Sequence, residues 1–533
     1  MNLNTQFVFE GKTKRLLFAG MALGAICLVL IALNDDQFHT RFWTTWLHNT
    51  VFFTGIAFTA MFFLSAQITA FAGWMTVIKR VWEAMSQFMF WGLLLLLPLV
   101  AGVWMHLHHL YHWNVPGITD PNNPLYDRII AGKSGFLNPM WYTFGTLGVV
   151  GLWYFWAMKL RQASVDQDTM ETPSFDYYKK QRKWAASFLP LGGFLSTVFL
   201  WQTLMSVDPH WYSTMFAWYS MISLLLGAIS LFILLVIYLK SKGYMEYVTP
   251  NHLHDVGKFL FGISVFWTYL WFDQYMLIWY ANNGEETIYF NERMNHYPVL
   301  FWGNLLLNFI TPFLILMRND TKRKMGTMFF VALIVFFGHW WDYFYMIKPG
   351  ARIAAHEAME IKEGKKDHST GAVSHTSAPA AAEHSPAAPA AAEAHADTAH
   401  PAAAATHGEA AAHDSAAQTT AEQHETPAAE ANMHASSAGH AAEGDAHAEA
   451  HDAGHHDESK AFKLGYTIPG LDDLGAMIGF LSLFLFLFFR QMESASLVPM
   501  RDPYLEESLH HDTGALIATE QEDGHGHHDD HHH

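Results

Sequence analysis

Apolar residues in this chain gather in long runs, without the three-to-four or alternating spacing of a water-soluble fold. Ten runs stand out, at roughly 15–34, 50–72, 86–106, 140–158, 185–206, 214–238, 257–281, 297–317, 325–347 and 471–490. A helix of about 20 apolar residues crosses the hydrocarbon core of a bilayer. Leu93–Leu97 and Leu481–Phe489 are apolar all round the helix, which argues against buried helices of a soluble protein. The pattern predicts an all-α membrane protein with ten transmembrane helices. Residues 1–350 make a membrane body with spans one to nine, 351–465 a loop, 466–490 the tenth span and 491–533 a tail. Lys12, Lys14 and Arg15 precede the first run as in a signal peptide, but no small-x-small cleavage site closes it, so it reads as a retained helix.

Mean hydropathy is only +0.08 because two polar stretches dilute the runs. Residues 351–460 hold 18 acids against 5 Lys and Arg, and residues 491–533 hold 10 against 1. The net charge of −18 therefore belongs to loop and tail, and no basic surface for nucleic acid is left. Residues 367–457 are rich in Ala, His and Glu and lack aromatic residues, a composition that predicts disorder. Fifteen His fall in 351–460 and eight in 505–533, at irregular intervals unlike a structural zinc site. A solvated linker is the plain reading; metal binding or pH buffering is the other.

Lys and Arg set the orientation. The N-terminal segment, alternate loops and C-terminal tail carry 20 of them, and the short loops on the other side carry 4. The positive-inside rule puts both termini in the cytoplasm and the 348–470 loop outside. Trp141, Trp211, Trp302 and Trp340 fall near expected interfaces. Pro98, Pro190 and Pro312 lie in or beside spans and are candidate kinks.

Most titratable residues in or beside the runs collect at the outer end. The third span ends in Trp-Met-His-Leu-His-His-Leu-Tyr-His-Trp, residues 104–113; on a helix, His106 and His109 are neighbours, as are His108 and His112. The fifth ends in Ser206-Val207-Asp208-Pro209-His210-Trp211-Tyr212, where Asp208 can cap the next helix. Asp273 falls well inside the seventh run, where a carboxylate must be protonated, paired or hydrated, and is a candidate for proton handling. His339 and Asp342 in the ninth run are one helical turn apart, close enough to share a proton or to satisfy each other. Glu83 at the inner start of the third span sits beside Lys79 and Arg80 as a surface salt bridge or the mouth of a proton path.

Cys27 is the only cysteine, so an internal disulfide, a Cys-ligated iron–sulfur cluster and CxxCH haem attachment are excluded. There is no P-loop, dinucleotide fingerprint or nucleophile elbow. A bis-His haem and a metal transporter both need more buried ligands than His339 and Asp342 supply.

The ten spans, the Asp-Pro-His-Trp-Tyr corner at 208–212 and the tail Val-Pro-Met-Arg-Asp-Pro-Tyr-Leu-Glu-Glu-Ser-Leu at 498–509 resemble the large membrane subunits of alternative complex III, a bacterial quinol:electron-acceptor oxidoreductase. The likeness is closer to the ActF-like subunit than to its ActC-like paralogue, and both resemble the NrfD-like subunit of polysulfide reductase. The resemblance implies two four-helix bundles, spans 2–5 and 6–9, with spans 1 and 10 peripheral, in the bacterial inner membrane. A shift of four spans keeps orientation, so such a repeat is parallel. It implies partners that include the ActC-like paralogue, an iron–sulfur subunit and cytochrome c subunits. Those carry the haem c and iron–sulfur clusters, while this chain has no covalent cofactor.

Quinol oxidation releases protons with its electrons, and their acceptor must reach the quinol hydroxyls. His106, His109, Asp208, His210 and Tyr212 are the candidates for an outer site for menaquinone or ubiquinone. Glu83, Asp273, His339 and Asp342 are the candidates for a proton path. A secondary transporter for metal or a small anion, or a purely structural anchor, are the alternatives.

Overall fold

The computed structural model describes residues 6–173, 175–362 and 468–512. The loop expected at 351–465 lies outside the described residues from 363 onward, as does the tail beyond Asp512. Every regular element among the described residues is helical. The long helices are α1 (Gly11–Leu33), α2 (Thr40–Thr69), α3 (Gly73–Trp104), α4 (residues 139–168), α5 (Phe175–Thr203), α6 (Thr214–Ser241), α7 (Pro250–Ala281), α8 (Pro298–Leu316), α9 (Met325–Lys362) and α10 (Leu471–Glu493). All but α4 and α7 are long and apolar enough to cross a membrane, which makes eight. The apolar part of α4 gives way to Lys159, Arg161 and Asp166, and α7 carries Asp273 and Gln274 among Trp and Tyr residues.

Two boundaries differ from expectation. Helix α3 ends at Trp104, so His106 to His112 lie beyond it and the helical pairing of His106 with His109 does not form. Helix α9 continues past residue 350 to Lys362.

α2 packs against α3, α5, α6 and α9, and is buried nearly all round. Some of its buried hydroxyls bond back to their own helix, as Thr59 Oγ1 does to the Gly55 carbonyl at 2.9 Å, while those of Thr50, Thr54 and Ser65 have no hydrogen-bond partner among the described residues. α4 lies against α3 and α5, while α7 lies against α6 and α8, and α9 against α6 and α8. α1 pairs with α10 through Gly24 and Gly479, where a Cβ on either would collide with the other backbone. Small residues at four-residue spacing, Gly20 and Gly24 against Gly475 and Gly479, allow this approach in an apolar environment.

A π turn interrupts α4 at Phe144–Gly148 and another interrupts α8 at Leu306–Ile310. The second has a visible cause: Pro312 follows it and has no N–H for the carbonyl of Asn308, so the widened turn replaces a bond that a regular helix would lose. Trp340 and Trp211 are interior rather than interfacial. Trp340 is fully buried and donates to Asn49 Oδ1 at 3.0 Å, and Trp211 stacks on Tyr289 at 3.9 Å.

The tail docks on the face where α3 and α5 begin, here called the tail face. Lys79 pairs with Asp502, the Ser508 hydroxyl accepts from Val77 N at 3.1 Å, and Arg161 donates to the Gln491 carbonyl at 2.7 Å. Glu83 belongs to this clasp. It is 1% exposed, takes Arg80 at 3.1 Å and accepts from Ser164 Oγ at 2.6 Å, a buried network instead of the expected surface salt bridge. The opposite, loop face carries residues 105–138, 204–213 and 282–297.

Candidate functional site

Four helices converge on one carboxylate. Asp342 of α9 has no solvent exposure, and its Oδ1 accepts from Tyr219 Oη of α6 and from Asn304 Nδ2 of α8 at 2.8 Å. Its Oδ2 accepts from Ser223 Oγ of α6 at 2.8 Å and from Trp267 Nε1 of α7 at 3.2 Å. Tyr219 and Ser223 lie five and nine residues from the loop-face end of α6. At 1.5 Å per residue the centre is therefore about 8–14 Å below that face. Asn308, in the π turn of α8, donates to the Gly338 carbonyl at 3.0 Å and approaches Asn304 Oδ1 at 3.4 Å, which extends the polar wall.

His339 and Asp342 do not touch each other through a bond. Ser223 joins them: its Oγ is 2.9 Å from His339 Nδ1 and 2.8 Å from Asp342 Oδ2. The chemistry follows from the donor inventory. A carboxylate offers about four lone-pair positions, and all four donors above are spent on them. Trp267 and the Asn304 amide can only donate there, so Asp342 can take a proton only if Tyr219 or Ser223 turns. If Ser223 turns, it accepts a hydrogen bond from the new carboxylic acid and donates one to His339 Nδ1. His339 must then hold its proton on Nε2, which has no hydrogen-bond partner among the described residues. A proton arriving at Nε2 can thus reappear on Asp342, through one imidazole and one hydroxyl, with no side chain moving between helices.

The loop face holds a second group of titratable residues. Asp127 caps the short helix Arg128–Lys133 by accepting from Ile129 N and Ile130 N, and its Oδ2 is 2.7 Å from His210 Nε2. Burial alone would raise the Asp127 pKa, but the His210 bond and the two backbone bonds outweigh it and hold the carboxyl well below its ordinary range. The same Asp127 bond raises the pKa of His210 against the opposing effect of burial. Asp208 does not cap the next helix, which begins after Ser213. Its pKa is raised by burial, with the Arg293 guanidinium, 3.9 Å away, pulling the other way. Arg293 is buried, lies over the Tyr289 ring at 3.4 Å and donates to the Met346 carbonyl of α9 at 3.2 Å.

The candidate residues from the sequence therefore separate. His339 and Asp342 share a centre. Asp208 and His210 lie on the loop face, with Tyr212 60% exposed under the Lys133 ammonium. His106 is exposed beside Asn114, and His109 packs edge-on to Phe38. The imidazole near His210 is His112, 6.0 Å between rings, which also faces Glu357 at 3.5 Å. Asp273 is half-exposed on the far side of α7 and stands apart from the Asp342 centre; its neighbour Gln274 turns inward to Ser213 Oγ at 3.0 Å. Glu83 is in the tail clasp.

Sequence reading missed Tyr219, Ser223 and Trp267, and also a buried ionic cluster near the loop-face end. There Lys348 of α9 donates to Thr45 Oγ1 at 3.0 Å and lies 3.7 Å from Asp473 of α10, which Arg41 of α2 also reaches at 3.2 Å. It missed His48 as well, fully buried in α2 and bonded to the Trp340 carbonyl at 2.9 Å. Among the described residues no three His, Cys, Asp or Glu side chains are grouped to hold a metal ion.

No protein-family model matches the chain, and no curated protein matches it either. The functional reading rests on the residues themselves.

Proposed function

We propose that this chain is a multi-pass subunit of the bacterial inner membrane that handles protons for a quinol-oxidising respiratory complex. Asp342 is the observation that carries the reading. An acid with no solvent exposure inside an apolar helix is costly and usually functional. Here it is joined through Ser223 to an imidazole with one free nitrogen, which is the minimum equipment for passing a proton.

The reading takes all ten long helices as spans, with both termini cytoplasmic and the 348–470 loop periplasmic. Helices α2–α5 and α6–α9 are two parallel four-helix bundles, with α1 and α10 paired at the periphery. The packing neighbours within each set support this, as does a π turn in the third helix of each set. Asp127, Asp208 and His210 form the quinol-proximal outer group. An imidazole backed by a carboxylate is chemically suited to accept a hydroxyl proton, and Tyr212, two residues along, is exposed under the Lys133 ammonium. A menaquinone or ubiquinone would dock there without a covalent bond, and it would supply the electrons and protons. His210 would take a proton and Asp127 would hold the imidazolium in place. Haem c and iron–sulfur clusters belong to partner subunits, including a cytochrome c, an iron–sulfur protein and an ActC-like paralogue.

Gentle solubilisation tests this reading. It expects the chain to co-purify with haem c absorbance and quinol-oxidising activity. A chain that purifies alone and carries metal ions or small anions into liposomes would instead be a transporter. A structural anchor is the second reading, favoured by the four filled acceptor positions of Asp342.

A further inference from the structure

A pocket on the tail face has no part in proton handling. It lies between the end of α6 and the start of α9, has a volume of about 280 Å³ and is lined by Ile237, Lys240, Ser241, Met325, Gly326 and Phe329. Its walls are apolar and its polar groups are two. Lys240 gives one ammonium hydrogen to the Val248 carbonyl and keeps two more donors. Ser241 gives its hydrogen to the Tyr238 carbonyl at 2.7 Å and keeps its lone pairs.

Two surroundings define the occupant. The segment leading into the pocket, residues 318–324, carries Arg318, Lys322, Arg323 and Lys324 against the single acid Asp320, which pairs with Lys324 at 2.5 Å. On the other side, Glu10 is taken by Lys242 at 3.3 Å, and Glu246 is the acid near Lys240. The field at the mouth is therefore positive. Beyond the pocket, Met325, Phe329, Phe330 and Leu333 form an exposed apolar stripe along one side of α9, each about half exposed.

We propose that this pocket binds the phosphodiester head of an anionic phospholipid, with one acyl chain laid along the α9 stripe. A basic pocket between membrane helices recognises lipid phosphate by charge, and the apolar stripe recognises the chain. Free phosphate would satisfy only the first, and a zwitterionic lipid would bring its own cation to a cationic rim. The inference needs the chain to lie in a membrane but is independent of the proton reading.

The test uses the purified, delipidated protein with any co-purifying subunits. Phosphatidylglycerol, phosphatidylcholine or inorganic phosphate is added, and binding is read by native mass spectrometry and by thermal shift. Phosphatidylglycerol should bind and raise the melting temperature more than phosphatidylcholine, and inorganic phosphate should do neither. Lys240→Gln should weaken phosphatidylglycerol binding about fivefold, the effect of one cation near a lipid surface. Because that change also removes the bond to Val248, Gly326→Leu is the second variant. A Cβ at Gly326 meets open space, so leucine fills the pocket without altering charge, and it should weaken binding similarly. The proposal is overturned if phosphatidylcholine binds equally, if inorganic phosphate reproduces the shift, or if the Gly326→Leu protein binds phosphatidylglycerol like the unaltered one.

Discussion

Ser223 Oγ lies 2.8 Å from Asp342 Oδ2, so a hydroxyl of α6 caps the buried carboxylate of α9 while its other side faces His339. Among the described residues no other side chain bonds to both. Ser223→Ala removes one hydrogen bond to a carboxylate that keeps three donors, and should cost about 1.5–3 kcal/mol of stability. It should also cut the link to His339 and slow proton transfer well beyond what the stability change explains. Ser223→Thr keeps the hydroxyl and should restore transfer. Thermal unfolding and proton release measured on the same preparations check this; full proton release in the alanine variant would remove Ser223 from the path.

The α1–α10 contact gives a prediction with its own reporter. Gly479→Leu places a side chain where the Gly24 backbone sits, so the two helices must part. Overpacking of this kind costs about 1–3 kcal/mol. Cys27 is buried against Gly475 and is the only thiol in the chain. It should react with a maleimide much faster in the variant, whereas unchanged labelling would mean that the pair tolerates the leucine.

These contacts show which parts of the fold can be read in one dimension. The long apolar runs mark the helices, because lipid demands length and leaves a plain signal. His339 and Asp342 stand out because charge in such a run is rare. Their partners do not: Tyr219, Ser223, Trp267 and Asn304 are ordinary residues of four helices, made into one site only by packing. Asp273 and Asp342 look alike in sequence, yet a signal to separate them was present. Trp267, Trp271, Gln274 and Ile278 share one face of α7, and Asp273 lies off it. His106 and His109 were paired by continuing a helix that stops at Trp104. Lys348 and Asp473 fall at the ends of their runs and read as boundary charges, although both are buried.

That buried pair has a measurable consequence. Lys348→Met leaves Asp473 with Arg41 and Thr45 but removes one of its two cations. Breaking a buried ion pair from one side costs about 3–5 kcal/mol, and the remaining Arg41 should hold the loss near the lower end. Adding Asp473→Asn should recover part of it, since the uncompensated charge is then gone. Denaturation of the two variants in the same detergent decides the point; a double variant worse than the sum of the singles would contradict it.

The Asp127–His210 pair predicts a pH dependence. The His210 pKa is raised above its ordinary 6.5, so its contribution is complete below that pH and is lost as pH rises through the higher folded value. The Asp127 pKa is depressed below 3.8, so its contribution is present above that pH and disappears as pH falls through the lower folded value. The Asp127–His210 pair is strongest between about pH 4 and 6.5. The difference in melting temperature between the unaltered protein and His210→Gln should be largest there and should shrink toward pH 9. A difference independent of pH would mean that the bond is not ionic.

Asp342→Asn, in the assembled complex, tests the central claim most directly. Asparagine keeps the size of the side chain but cannot carry a proton between donor and acceptor. The measurement is the number of protons moved per quinol oxidised in proteoliposomes, beyond those that quinol oxidation itself frees, with haem c content as the control for assembly. The proton-handling account predicts intact assembly and a lower proton yield. Unchanged yield at normal turnover would contradict it and leave Asp342 as a structural junction of four helices.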